Sequence, residues 1–179
     1  MGSMKSCASS LRWVAALLLL LGRPIEAATD REQLEAAIVY NILQFVEWPG
    51  EDAMPAGTQL TLCMDPDSPT YASMRQLGGR EVQRRQFAVE PMLPPTRRCN
   101  IVFVDSLKSQ HSASARQVSG SDGALLVVAG SHFQATEPPT IQLSEARGKL
   151  AFDVSSGVAR KQGLVISSRL LRLARKVSE

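Results

Sequence analysis

The chain has 179 residues, 44% hydrophobic and 21% charged, ordinary proportions for one globular domain. Its formal net charge of +3 supplies no field that by itself argues for nucleic acid or an anionic membrane. With only two histidines, His111 and His132, and no second histidine or cysteine at ligand spacing, the sequence also argues against a zinc site.

The first segment stands apart from the fold. Lys5 and Arg12 precede the apolar run Trp13 to Leu21, Gly22-Arg23-Pro24 breaks it, and Ile25-Glu26-Ala27-Ala28 follows. A basic start, a short apolar stretch and a small-residue exit read as a cleaved secretory leader over residues 1–27, leaving a domain of residues 28–179. The run is far shorter than the roughly 20 residues of a spanning helix. Removing Lys5, Arg12, Arg23 and Glu26 lowers the net charge from +3 to +1. Cys7 lies before the apolar core of the leader, the wrong side for a lipidated cysteine. Cys63 and Cys99 remain, an even pair in an exported chain, and read as a disulfide; two buried free thiols are the alternative.

From Asp30 the spacing predicts a helix with Leu34, Ala37, Ile38, Ile42 and Phe45 on one face, running until Pro49 stops it at Trp48. Thr58 to Met64 reads as a strand, and Ser68-Pro69 opens a short helix carrying Tyr71, Met74 and Leu77 up to Gly78-Gly79. Glu81 to Val89 reads as an outer strand. The apolar runs Asn100 to Asp105 and Ala124 to Val128 mark strands covered on both faces. Between them a polar helix is expected over Ser106 to Val118. Thr140 to Leu143 and Lys149 to Asp153 form a hairpin turning near Ala146-Arg147-Gly148. Helices are expected over Ser156 to Lys161 and Ser167 to Val177, the last with Leu170, Leu171, Leu173, Ala174 and Val177 as its apolar stripe. The fold class that follows is α/β, a mainly parallel sheet flanked by helices, with a C-terminal hairpin and helix.

No catalytic constellation emerges. A triad assembled from Asp105, His111 and a serine has no Gly-x-Ser-x-Gly turn to support it. Gly78-Gly79-Arg80 lacks the spacing and the trailing Lys-Ser/Thr of a phosphate loop. What remains are surfaces. Phe45-Val46-Glu47-Trp48-Pro49 gathers three large apolar side chains in four residues, and an exposed tryptophan beside a charge is an interface anchor. Glu47 and Trp48, with Arg169 and Arg172 on the edge of the last helix, are the candidate interaction residues; no residue is assigned to catalysis, cofactor or metal.

Two stretches carry a resemblance. Ala37-Ile38-Val39-Tyr40-Asn41-Ile42-Leu43-Gln44-Phe45-Val46-Glu47-Trp48-Pro49 resembles the opening helix motif of the YfiR family, and Gly163-Leu164-Val165-Ile166-Ser167-Ser168-Arg169-Leu170-Leu171-Arg172-Leu173-Ala174 resembles its closing motif. Cys63, Gly79-Arg80 and Cys99 to Val104 fall between them in the family's order. The resemblance implies a periplasmic α/β protein, often a homodimer, that represses a membrane diguanylate cyclase by binding its periplasmic region. Repression lowers cyclic-di-GMP and biofilm formation, and an outer-membrane peptidoglycan-associated lipoprotein can sequester the repressor. It also implies a disulfide between Cys63 and Cys99. This chain departs from the pattern in lacking a second cysteine pair between Thr140 and Asp153, and in having Asp153-Val154-Ser155 where Ile-Asn-Leu is common. Other readings of the residues stay open: a periplasmic small-solute-binding module feeding another membrane sensor, an enzyme, or a regulator of a histidine kinase.

Overall fold

A computed structural model describes residues 30–49, 57–92, 99–111 and 124–179. The expected leader and residues 112–118 of the expected polar helix lie outside the described residues.

Helix α1 (Asp30–Leu43) opens with Asp30 and Glu32 in its first turn, where acidic side chains favour the helix dipole. It buries Glu35, Ala36, Val39, Ile42 and Leu43, a face rotated from the one its periodicity predicts, and Leu34 is half exposed. Apolar residues surround so much of this helix that spacing alone did not choose the side. Glu35 marks the seam because its carboxylate is satisfied there: Thr70 Oγ1 donates at 2.7 Å and the Ser131 amide at 2.6 Å.

The chain then builds β1 (Val46–Glu47), β2 (Leu60–Met64), α2 (Tyr71–Arg75), β3 (Glu81–Val82), β4 (Arg85–Pro91), β5 (Ile101–Val104) and β6 (Leu126–Ala129). It closes with β7 (Ile141–Ala146), β8 (Lys149–Ser155), α3 (Ser156–Lys161), β9 (Val165–Ile166), α4 (Ser168–Leu173) and β10 (Lys176–Ser178). Eight strands form one sheet in the order β10-β8-β7-β6-β5-β2-β4-β3; β1 and β9 form a separate antiparallel ribbon. Pairing is parallel from β7 through β6, β5 and β2 to β4, and again between β10 and β8. The two hairpins, β3–β4 and β7–β8, are antiparallel. This is the expected α/β class.

Strands β2, β5 and β6 are buried along their whole length, as apolar runs in a two-sided sheet must be. Leu60, Leu62, Met64, Ile101, Phe103, Leu126 and Val128 join the main core, to which Val39 and Leu43 of the first helix and the buried Met74, Ala159 and Leu170 of later ones also contribute. On the opposite face Cys63, Val102, Val104, Val127 and Ala129 form a second cluster with Cys99, Leu125, Met92, Phe133 and Ala135.

Both hairpins close through two residues with left-handed backbone, Gln83 and Arg84 (φ 50° and 64°) and Arg147 and Gly148 (φ 54° and 71°). This geometry follows the natural twist of the strands. The second turn sits where Arg147-Gly148 announced it. The first lacks a glycine, which is why Glu81 to Val89 read as one strand.

Two helix boundaries are corrected. The first helix ends at Leu43, not Trp48, because Val46 and Glu47 are drawn into β1. The last ends at Leu173, not Val177. Ala174 turns to an extended backbone (φ −66°, ψ 139°), and Lys176 to Ser178 pair with Asp153 to Ser155 as a strand. The stretch Asp153-Val154-Ser155, where the sequence departs from the family's habit, is the one that receives this added edge.

Candidate interaction surface

The ribbon of β1 and β9 joins the two stretches that carry the family resemblance. Val46 lies opposite Ile166 and Glu47 opposite Val165, and the Ser167 amide donates to the Phe45 carbonyl at 3.0 Å. The Gln83 side chain clamps the same turn from the other side, donating to the Leu43 and Val46 carbonyls at 3.0 and 2.8 Å. Gly163 (φ 71°) admits Pro49 alongside: a β-carbon there would stand 3.3 Å from the proline Cγ. A side chain at this position would be strained in backbone and crowded in space.

From this ribbon the chain enters α4. Ser167 caps it, its hydroxyl accepting from the Leu170 amide at 3.3 Å. Leu170 is buried and anchors the helix, while Arg169, Arg172 and Leu173 are exposed. Glu47 and Val165 are exposed as well, and as directly opposed partners they share one face of the ribbon. The fold thus joins the Glu47 stretch to the Arg169–Arg172 stretch, which sequence alone left 122 positions apart.

Trp48 is the correction within this set. Only 9% of it is exposed and it belongs to the main core, so it is no exposed anchor. Val46 turns inward beside it and is fully buried. The Trp48 indole nitrogen is buried with no hydrogen-bond partner among the described residues.

Beyond α4, Arg175 grips Asp153 with both arms of its fork, at 2.9 and 2.5 Å, and its amide donates to the Phe152 carbonyl. These bonds hold β10 on the sheet. Val177 and Leu173 are left substantially exposed, so the stripe expected to face the core is split: Leu170 enters it, Leu171 and Ala174 lean on it, and the other two face outward.

Cys63 at the end of β2 and Cys99 just before β5 form a disulfide, with α-carbons 5.7 Å apart. Both are buried. Adjacent parallel strands bring the two residues together across 36 positions, and the alternative of two free thiols falls away.

A polar cluster lies at the carboxyl ends of β2 and β5, where the connections leave in opposite directions along the sheet, a usual ligand position in such folds. Here the groups satisfy one another. Asp65 accepts from the Asp67 amide at 3.1 Å and pairs with Lys108 at 3.0 Å; these two contacts hold its carboxyl below the usual carboxylate value. Burial raises that of Asp105, against the hydrogen bonds it takes from Ser68 and Ser109. A triad would need a histidine at Asp105, but His111 and His132 are both exposed. Among the described residues no group of three or more His, Cys, Asp or Glu could hold a metal ion. Sequence reading missed Asp65 and Glu35, since a single acid in a loop or on a helix carries no periodic signal.

These features define an α/β domain built on one large sheet and a two-stranded ribbon, tied by a buried disulfide, whose opening and closing motifs share that ribbon. The chain belongs to the YfiR/HmsC-like family, whose sequence profile matches residues 32–175. No curated protein matches the sequence. Among the described residues no helix is long and apolar enough to cross a membrane.

Proposed function

We propose that this protein is an exported, non-enzymatic regulator that binds the periplasmic region of a membrane diguanylate cyclase and holds its cytoplasmic catalytic part inactive, lowering cyclic-di-GMP and biofilm formation. The observation that carries this reading is the ribbon. The two motifs of a regulatory family meet there, and Glu47, Val165, Arg169, Arg172 and Leu173 stand exposed on or just beyond it. A buried disulfide suits a periplasmic location.

Repression needs only unequal affinity for two cyclase conformations. A preference of about 5.5 kcal/mol for the inactive one swings the population from almost all active to almost all inactive. A homodimer would match the two-fold symmetry of a dimeric cyclase, and a peptidoglycan-associated lipoprotein of the outer membrane would relieve repression by competing for the repressor. Mixing the purified chain with the periplasmic region of a co-encoded cyclase should give a complex at micromolar concentration on a sizing column; its absence there would refute the reading.

A second reading has one observation in its favour. An open cavity of about 630 Å³ lies beside α3, lined by Ser155, Val158, Arg160, Lys161 and Ser178 among others, a volume within the range of small-molecule sites. A small-solute-binding module would show melting-temperature shifts with anionic solutes in the absence of any protein partner.

A further inference from the structure

We infer that the β3 edge of the sheet is a docking edge for the anionic headgroups of a phospholipid bilayer, presented by Arg75, Arg80 and Arg84. Three short connections place these residues on one edge. The Gly78 amide donates to the Arg75 carbonyl at 3.0 Å, the Arg80 amide to the Leu77 carbonyl at 3.3 Å, and the Phe87 amide to the Arg80 carbonyl at 2.8 Å. Arg84 stands at the tip of the β3–β4 turn. All three side chains are exposed.

Two of them lie over aromatic rings. The Arg80 guanidinium lies 6.0 Å from the centre of the Tyr40 ring, and that of Arg75 lies 5.8 Å from Tyr71. Tyr40 is itself fixed, edge-on to Phe87 at 5.8 Å and donating to the Glu81 carbonyl at 2.7 Å. A guanidinium backed by a ring keeps its N–H fork available for a planar or tetrahedral oxyanion.

Three cations on other faces are neutralised locally: Arg31 pairs with Glu145, Lys108 with Asp65 and Arg175 with Asp153. Arg75, Arg80 and Arg84 have no carboxylate partner among the described residues, and Glu81 is the one acid on β3. The small net charge of the chain conceals this edge because it averages over pairs made on other faces. Among the described residues the edge also lacks an apolar anchor, for the exposed large hydrophobic side chains, Leu34, Leu107, Val165, Leu173 and Val177, lie elsewhere in the fold. Charge without an apolar centre fits a headgroup layer better than a protein interface, whose binding energy concentrates in buried anchors.

Co-sedimentation of the purified chain with phosphatidylcholine vesicles, with and without phosphatidylglycerol, tests this without any protein partner, so its outcome is separate from that of cyclase binding. Binding to the anionic vesicles alone is expected, falling steeply between about 0.1 and 1 M salt. Each guanidinium near an anionic surface is worth roughly a fivefold gain. The triple variant Arg75→Gln, Arg80→Gln, Arg84→Gln should therefore lose about a hundredfold, with an unchanged melting curve. The charge-matched control Arg147→Gln, Lys149→Gln, Lys176→Gln, at exposed residues of other elements, should bind as the parent does. Equal binding to neutral vesicles, or equal loss in the control, would overturn the inference. Retention on polyglutamate without vesicle binding would overturn it too, making the edge a dock for an acidic protein segment.

Discussion

Trp48 and Glu47 are neighbours in sequence with opposite fates, and alternation along a two-residue strand is the reason. Val46 and Trp48 point into the core while Glu47 points out. Trp48→Ala should therefore cost about 3–5 kcal/mol of folding stability, as emptying a large aromatic site does. A urea titration showing a loss below about 1 kcal/mol would place the indole at the surface after all. Asp105 supports a second prediction at this scale. Burial raises its carboxyl above the ordinary value of 3.8, so the folded state holds the proton more tightly than the unfolded chain. The resulting stabilisation is complete below the unfolded value and is lost as pH rises through the folded one. Asp105→Asn keeps an acceptor for Ser68 and Ser109 and removes the titration. Its melting temperature relative to the parent should be higher at pH 7 than at pH 4, and a difference constant with pH would contradict this. Asp65 has the opposite sign: its carboxyl is lowered by the Asp67 amide and Lys108, so its contribution is lost as pH falls through the folded value.

At the scale of elements, the disulfide staples the strand β2 to the start of β5 beneath the second cluster. Closing 36 positions of chain constrains the unfolded state by about 3–4 kcal/mol in the chain-entropy model. The double variant Cys63→Ala, Cys99→Ala should lose about that much in urea, and reductant should destabilise the parent but leave the variant unmoved. Reductant acting equally on both would show that the bridge contributes nothing. The sequence had marked β2, β5 and β6, because continuous apolar runs bounded by Asp or Gly have few other fates. It misread the ends of two helices for one common reason. Whether a residue with modest preferences, such as Val46 or Val177, continues a helix or joins a ladder depends on a partner strand that is remote in sequence. Val46 found Ile166, and Val177 found Val154.

For the whole molecule, the joining of residues 43–49, 83 and 163–167 turns two motifs into one surface. If that surface holds the partner, Arg169→Glu combined with Leu173→Asp should weaken the complex at least tenfold. Both side chains are exposed, so folding stability should change by no more than about 0.5 kcal/mol. Unchanged affinity would move the interface elsewhere.

The sequence by itself determined the α/β class, the buried parallel strands, the second hairpin turn and the membership of a family, since each rests on local pattern: apolar runs, Arg147-Gly148, and two motifs of ten or more residues. It also named Cys63 and Cys99 as partners, since they are the two cysteines that lie within the folded domain. Only the tertiary structure decided which side of α1 faces the core, that Trp48 is inside, that the chain ends as an edge strand, and that the two motifs touch. Each of those depends on contacts between residues far apart along the chain. Their energies come from burial and cross-strand pairing rather than from local preference, and no reading of neighbours alone contains them.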